Sequence, residues 1–511
     1  MSQPITRRDF LKLVSLLPFL TTGWPSSLQS ANRLLQGKPS PNILILVFDA
    51  LSAHNVSLYG YRRETTPNLA RFAEKATVYH NHQAGGSFTS AGTASLLTGT
   101  YPWTHRAIHL HGTIDESRVS NNIFNQFAAQ GYTTLGYSHN LLVTSLFYQF
   151  REDLDIFKKT RELCLVDDQF GDRLFPNDLN TAFWSEWLVL RGEDSYPGSL
   201  FLSFFHRLLR FARKREINKE LGELFPKGVP ALHNLFFILE DAVDWIKSQV
   251  NNLPQPYLAY FHFLPPHEPY TTRRDFVDIF KDGWKPEPKP ARFFSDGRSD
   301  DFLNKNRREY DEYIAYADAE FGRLYDFMVQ NGVLDNTCLI VTSDHGELFE
   351  RGIRGHVTRT LYSPVTRVPL LISQPGQTRR EDVYSPTSCV DILPTLLHLT
   401  GQNIPDWCEG SILPPFADSA ESNQRSVYSV EAKSNPKQAP LSRATLSIIK
   451  DEFKLVRYLG YGAHANDFEL FNLANDPDEV EDLLTVKKSI AGELQNELDK
   501  KLSEVNQPFL V

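Results

Sequence analysis

The chain has 511 residues, longer than a single hydrophobic core sustains, so two or more domains are expected. Hydrophobic residues at 41% and aromatics at 12% exclude a disordered chain and supply a packed interior. With 53 basic residues against 62 acidic ones, the net charge of −9 excludes nucleic acid as the main partner, because neutralising phosphates takes clustered Lys and Arg.

The first stretch, ITRRDFLKLVSLLPFLTTGW (5–24), sets Arg7 and Arg8 ahead of an apolar run too short to cross a bilayer. It has the form of a twin-arginine export signal, with an amphipathic first helix as the alternative. On the first reading residues 1–36 are signal and linker, the mature chain starts near Ala31, and the protein is exported to a periplasmic or extracellular location. No other stretch is long and apolar enough to span a membrane.

Five short apolar runs then read as buried parallel strands: NILILVF (42–48), TTLGY (133–137), YLAYFHFL (257–264), CLIVT (338–342) and VPLLIS (368–373). Helical patterns such as DEYIAYADAEFGRLYDFMVQ (311–330) separate several of them, which predicts an α/β layered domain. Polar residues follow four of the strands: Asp49, then Ser138-His139-Asn140, then His267-Glu268, then Asp344-His345. Ligands in open α/β sheets sit beyond the carboxyl ends of strands, so these clusters predict one shared site. Between the first two strands, SFTSAGTASLLTG (87–99) carries six hydroxyl side chains, which fits a helix start or an activated nucleophile.

Residues 150–250 break the strand–helix rhythm and read as an insertion. Within it, SLFLSFFHRLLRFARKR (199–215) groups Phe201, Phe204, Phe205, Leu208 and Leu209 on one helical face, followed by Arg207, Arg210, Arg213, Lys214 and Arg215. Such a helix can lie on an anionic membrane surface, or pack its apolar face on the core with a solvated basic edge. WKPEPKPARFFSDGRSD (284–300) is rich in Pro and charge and reads as a loop or lid. Beyond residue 415 the pattern changes: TLSIIKDEFKLVRYL (445–459) is a hairpin, ELFNL (469–473) another strand, and Ile490, Leu494, Leu498 and Leu502 one face of a last helix. This predicts a catalytic domain over 40–415 and a small α+β domain over 420–511. Cys164, Cys338, Cys389 and Cys408 show no CxxC or His-linked metal spacing.

Seven stretches occur in the order expected of sulfatases: 49–84, SFTSAGTASLLTGTYP (87–102), PPHEPY (265–270), TSDHGELFERGIRGH (342–356), RVPLLISQPG (367–376), SCVDILPTLLHLTG (388–401) and ELFNLANDPDEVEDL (469–483). The chain thus resembles the sulfatases, metal-dependent ester hydrolases of the alkaline-phosphatase superfamily. The resemblance implies an alkaline-phosphatase-like three-layer α/β/α core with a large mixed sheet, plus a small C-terminal domain with an antiparallel sheet. It places the nucleophile ten residues before Gly99, at Thr89, where true sulfatases carry a cysteine converted to formylglycine, and Thr93 where they usually carry Arg. Asp49, Thr89, Asp344 and His345 match the family's metal-ligand positions, with Ala50 in place of a further acidic ligand. His267 and His356 match residues that contact the transferred group, and His139 and Asn140 fall near the family's substrate-binding pair. One histidine among oxygen ligands favours Zn²⁺ or Mn²⁺ as the single divalent ion, with Ca²⁺ or Mg²⁺ as alternatives. Twin-arginine cargo crosses already folded, which suits a protein that loads its metal in the cytoplasm.

The absent cysteine bears on the chemistry. A formylglycine hydrate releases sulfate by collapsing to an aldehyde; a threonine ester has no second hydroxyl and cannot. A phosphorylated threonine is resolved by water or an alcohol attacking phosphorus. The sequence therefore favours a phosphate or phosphonate ester, on a small molecule, lipid or glycan, over a sulfate ester, with a catalytically silent anion-binding relative as the third reading. His80, His82, His109 and His111 near the nucleophile segment read as surface or loop residues.

Overall fold

The computed structural model describes residues 40–167, 187–191, 196–232, 235–417, 425–464 and 467–510, with Thr181 and Ser185. The twin-arginine stretch and part of the expected insertion lie outside the described residues.

The core is an eight-stranded sheet. In chain order its strands are β1 (Asn42–Phe48), β2 (Thr77–Tyr79), β3 (Thr133–Ser138), β4 (Ile156–Lys158), β5 (Tyr257–Phe263), β6 (Thr337–Thr342), β7 (Leu370–Ser373) and β8 (Glu381–Val383), arranged spatially as β8-β2-β7-β6-β1-β5-β3-β4. β1 lies at the centre, parallel to β6 on one side and to β5 on the other. All five expected strands are present, but not all are parallel: β7 runs antiparallel to both β6 and β2, which makes the sheet mixed. A continuous apolar run marks a strand buried on both faces and says nothing of its direction.

Burial on both faces is visible in β1. Ile43, Ile45 and Val47 join one apolar cluster and Leu44, Leu46 and Phe48 the other, as the two-residue period of a strand requires. On the first face pack the helices Thr89–Thr98, Leu141–Gln149 and Ile392–Leu399; on the second, Pro67–Ala73, Leu239–Val250 and the 31-residue Asp300–Gln330. This is a three-layer α/β/α architecture. The expected insertion contains core elements at both ends, since β4 borders the sheet and Leu239–Val250 buries Leu239, Ala242, Val243, Ile246 and Val250 against it.

The hairpin expected over 445–459 pairs β10 (Ala444–Lys450) with β11 (Phe453–Leu459), in a four-stranded antiparallel sheet completed by β9 (Val427–Glu431) and β12 (Asp467–Asn472). The last helix, Lys488–Asn506, buries Leu494, Leu498 and Leu502 in the same apolar cluster as the first face of the large sheet. Residues 284–299 form no helix or strand. They are held down: Lys289 pairs with Glu350 (2.8 Å) and Asp478 (2.7 Å), while Phe293 and Phe294 pack on Tyr458.

The helix of the expected insertion runs from Leu200 to Leu221. Only Ser203 and Ile217 are buried, so the core-facing alternative fails: the apolar face points to solvent.

Several buried histidines carry an acid-stability signature. His105 accepts the Ala107 N–H at Nδ1 (3.0 Å) and donates Nε2–H to Ser95 Oγ (3.1 Å), an arrangement only the neutral ring satisfies. Burial pushes His105, His82 and His139 each down to about 3, from an ordinary value of 6.5. The unfolded chain therefore binds more protons between these values, so their contribution is fully present above pH 6.5 and is lost as pH falls toward 3. Each costs about 1.4 kcal/mol at one pH unit below 6.5, roughly 4 kcal/mol for the three. Thermal melts at pH 7.5 and 5.5 should show a clear fall in Tm; a flat profile would contradict this.

Candidate metal and catalytic site

Asp49 follows the last residue of β1 and Asp344-His345 the end of β6, so adjacent parallel strands deliver all three to one point. Their ligand atoms lie within 4.8 Å of one another, and all three side chains are buried. Ala50 adopts a left-handed backbone (φ 61°), which turns its N–H toward Asp344 Oδ1 (3.3 Å). That strain sits at the centre of the site.

Thr89 is the first residue of the helix Thr89–Thr98. That helix fits against the site only because residue 92 is glycine: a Cβ there would come within 2.1 Å of the Asp344 carbonyl oxygen. His345 donates Nδ1–H to the Gly346 carbonyl (3.0 Å), leaving the Nε2 lone pair facing Asp49 Oδ1 (3.5 Å), Asp344 Oδ2 (3.7 Å) and the Thr89 hydroxyl (3.3 Å). Asn140 Nδ2 reaches both Asp49 Oδ2 (2.6 Å) and Thr89 Oγ1 (3.4 Å). Thr93, one turn after Thr89, donates to Asp344 Oδ2 (3.2 Å).

The electrostatics call for a cation. Burial works to raise Asp49, but the His267 charge and the His262 hydrogen bond outweigh it and hold the carboxyl well below the usual range. Burial and the Asp49 charge both push Asp344 up. Burial keeps His345 neutral. Asp49 Oδ1 is buried with no hydrogen-bond partner. Two buried carboxylates, an unprotonated imidazole nitrogen and an orphaned carboxylate oxygen converging on one point fit a divalent ion.

A cavity of about 880 Å³ opens over this point, lined by Phe88, Thr89, Asn140, His267 and His356. His267 donates Nδ1–H to the Glu268 carbonyl (2.7 Å), and its ring lies 4.8 Å from that of His356. Burial works against its charge, yet Asp49 and Glu347 raise His267 above the ordinary value. His356 has the opposite environment: burial, reinforced by the His267 charge, pushes it down to about 3. It stands at the end of the hairpin Leu348–Glu350/Ile353–Gly355 and donates Nδ1–H to Glu347 Oε2 (3.0 Å). Arg351 (φ 58°) and Gly352 (φ 74°) form the two-residue turn of that hairpin.

The structure thus gathers Asp49, Thr89, Asn140, Asp344 and His345 at one point, with His267 and His356 in the cavity above. His139 is not among them. It is buried, stacked on Phe237 at 4.3 Å, and is absent from the cavity lining. Among the histidines read as surface or loop residues, His82 is buried and His111 lines the cavity. His262 was not among the expected site residues: it donates Nε2–H to Asp49 Oδ2 (3.1 Å) from within β5. A histidine inside the apolar run YLAYFHFL was the available signal. Lys227 and Arg354 also line the cavity, and no local pattern marks either.

Comparison with known proteins places the fold and the family. The chain is 24% identical over 475 residues to a choline-sulfatase of Rhizobium meliloti, covering 86% of this chain and 83% of that protein. It is 24% identical over 502 residues to the multifunctional alkaline phosphatase superfamily protein PehA of Trinickia caryophylli, covering 85% and 91%. The crystal structure of a phosphonate monoester hydrolase of Agrobacterium radiobacter shares the fold, with a TM-score of 0.62 at 19% identity over 92% of this chain and 96% of that one. The C-terminal model of N-sulphoglucosamine sulphohydrolase matches residues 354–508. The sulfatase family model matches residues 41–162 and 218–402, more than half of the sequence, and the chain belongs to the sulfatase family.

Proposed function

We propose that this sulfatase-family hydrolase cleaves or transfers a phosphate or phosphonate ester through a covalent intermediate on Thr89. One observation carries the reading: a threonine hydroxyl, not a cysteine, is the side chain that opens the helix at the Asp49–Asp344–His345 cluster. The name of the PehA relative, a multifunctional member of the alkaline phosphatase superfamily, is consistent with ester chemistry beyond sulfate.

Asp49, Asp344, His345 and Thr89 would hold one divalent ion, Zn²⁺ or Mn²⁺ by donor type. When bound, such an ion supplies positive charge that lowers the pKa of an adjacent hydroxyl and offsets charge on the transferred group. Asn140 fixes the Thr89 oxygen beside Asp49, and the first backbone N–H groups of the Thr89–Thr98 helix would favour an anion bound there. Thr89 Oγ, having lost its proton to solvent, attacks phosphorus, and the bond from phosphorus to the leaving oxygen breaks. His267, whose proton affinity Asp49 and Glu347 raise, gives its Nε2 proton to that oxygen. Water or an acceptor alcohol then attacks phosphorus, the Thr89 ester bond breaks, and the attacking group's proton returns to His267. His356, held neutral beside it, orients the anion. The contrasting environments of the two imidazoles support these roles.

The test is turnover of bis-p-nitrophenyl phosphate, a phenylphosphonate ester and p-nitrophenyl sulfate with Zn²⁺ or Mn²⁺ supplied, joined to peptide mass spectrometry of quenched enzyme. A phosphate or phosphonate adduct on the Thr89 peptide is expected. Faster turnover of the sulfate ester would establish a sulfatase instead, and no turnover of any ester a silent relative. His267→Ala should cost about 10²–10⁴ in kcat with a poor alkyl leaving group and far less with p-nitrophenolate, which needs no proton. Equal losses on both would remove His267 as the acid. The proposal includes export: Arg7→Lys with Arg8→Lys should hold the protein in the cytoplasm on fractionation, and an unchanged distribution would overturn that part.

A further inference from the structure

We propose that the helix Leu200–Leu221 is a preformed docking element for an anionic lipid bilayer. Ser199 caps it, accepting the Leu202 N–H (3.2 Å). At 22 residues it is about 33 Å long. It rests on the body of the protein through the side of Ser203 and Ile217. The opposite side turns Phe201, Phe204, Phe205, Leu208, Leu209 and Phe211 to solvent, each between 48% and 70% exposed. Phe205 contacts Phe201 (4.7 Å between ring centroids) and Phe204 (5.9 Å), so these three rings form one contiguous patch. Single exposed apolar residues need no explanation, but six on three successive turns mark an interaction surface.

Charge selects the occupant. The whole chain is acidic, at −9, whereas this helix carries six basic residues, including Arg207, Lys214, Arg215 and Lys219, against two acidic ones, Glu216 and Glu220. A second copy of the chain would set this cationic helix against itself. An anionic bilayer complements both the apolar face and the charge, the combination that holds amphipathic helices at the lipid interface. No helix among the described residues is long and apolar enough to cross a membrane, so the contact is peripheral. Lys227, which lines the catalytic cavity, follows the helix by six residues. Six residues span at most about 20 Å, so docking would keep the cavity close to the head-group layer.

The experiment is flotation of the full-length protein with vesicles of phosphatidylcholine alone, and of phosphatidylcholine with about one third phosphatidylglycerol. The anionic vesicles should bind at least about tenfold more protein, and binding should fall as salt rises. Phe201→Ser with Phe204→Ser and Phe211→Ser should abolish binding without lowering the thermal stability, since these side chains touch solvent; R207E with K214E and R215E should do the same. Equal recovery on both vesicle types, or full binding by either variant, would overturn the proposal. So would a concentration-dependent dimer that the serine variant breaks in the absence of vesicle binding, which would make this face a contact between copies. None of these readouts depends on ester turnover.

Discussion

Thr89→Ala is expected to lower kcat/KM for the preferred ester by about four orders of magnitude, some 5–6 kcal/mol of transition-state stabilisation. The alanine has no oxygen to form the covalent bond, and Asn140 loses one of the two acceptors its amide holds. The buried carboxylates and His345 remain in place, so the variant should still bind a divalent ion by calorimetry, with affinity reduced by one donor at most. Thr89→Ser keeps the hydroxyl and should recover most of the activity. Wild-type turnover by the alanine variant would remove Thr89 from the chemistry altogether.

Asp344→Asn separates stability from function. In the metal-free protein Asp344 is buried beside Asp49, whose charge adds to burial in opposing the ionisation of Asp344. A neutral amide relieves that repulsion while Oδ1 still accepts the Ala50 and His345 N–H groups. The metal-free variant is therefore expected to be more stable than the metal-free wild type, by about 1–3 kcal/mol. Wild type should gain about 2.7 kcal/mol from an ion at one hundred times its Kd, and the variant should gain little and show no turnover. Thermal melts with chelator and with saturating metal check both halves. A variant less stable than wild type in chelator would show that the two carboxylates are not in conflict.

The strand runs at 42–48, 257–264 and 338–342 were legible because both faces of a central strand are buried, which erases the polar alternation and leaves a continuous apolar word. β2, β4 and β8, three residues each, were not: so short a segment carries no period, and tertiary pairing alone makes it a strand. β9 escaped for a related reason, since its pairing partner β10 lies more than a dozen residues away along the chain. The antiparallel direction of β7 follows from how the chain returns to the sheet, and its composition holds no trace of that. In the site, Asp49, Asp344 and His345 stood out because each ends an apolar strand. His262 did not, because a histidine within a strand looks the same whether it meets an acid or the core.

The order of the seven motifs, the threonine in place of cysteine and the polar residues after four strands were properties of the sequence alone, since residue type and local spacing are written directly in it. Convergence was not: Thr89 and His345 meet across 256 positions of chain. Neither was the opposite charge bias of His267 and His356, the withdrawal of His139 into an aromatic stack, or the outward turn of the Leu200–Leu221 helix. Each depends on which distant atoms surround a side chain, because desolvation and Coulomb interaction act through space, and only the folded chain sets those distances.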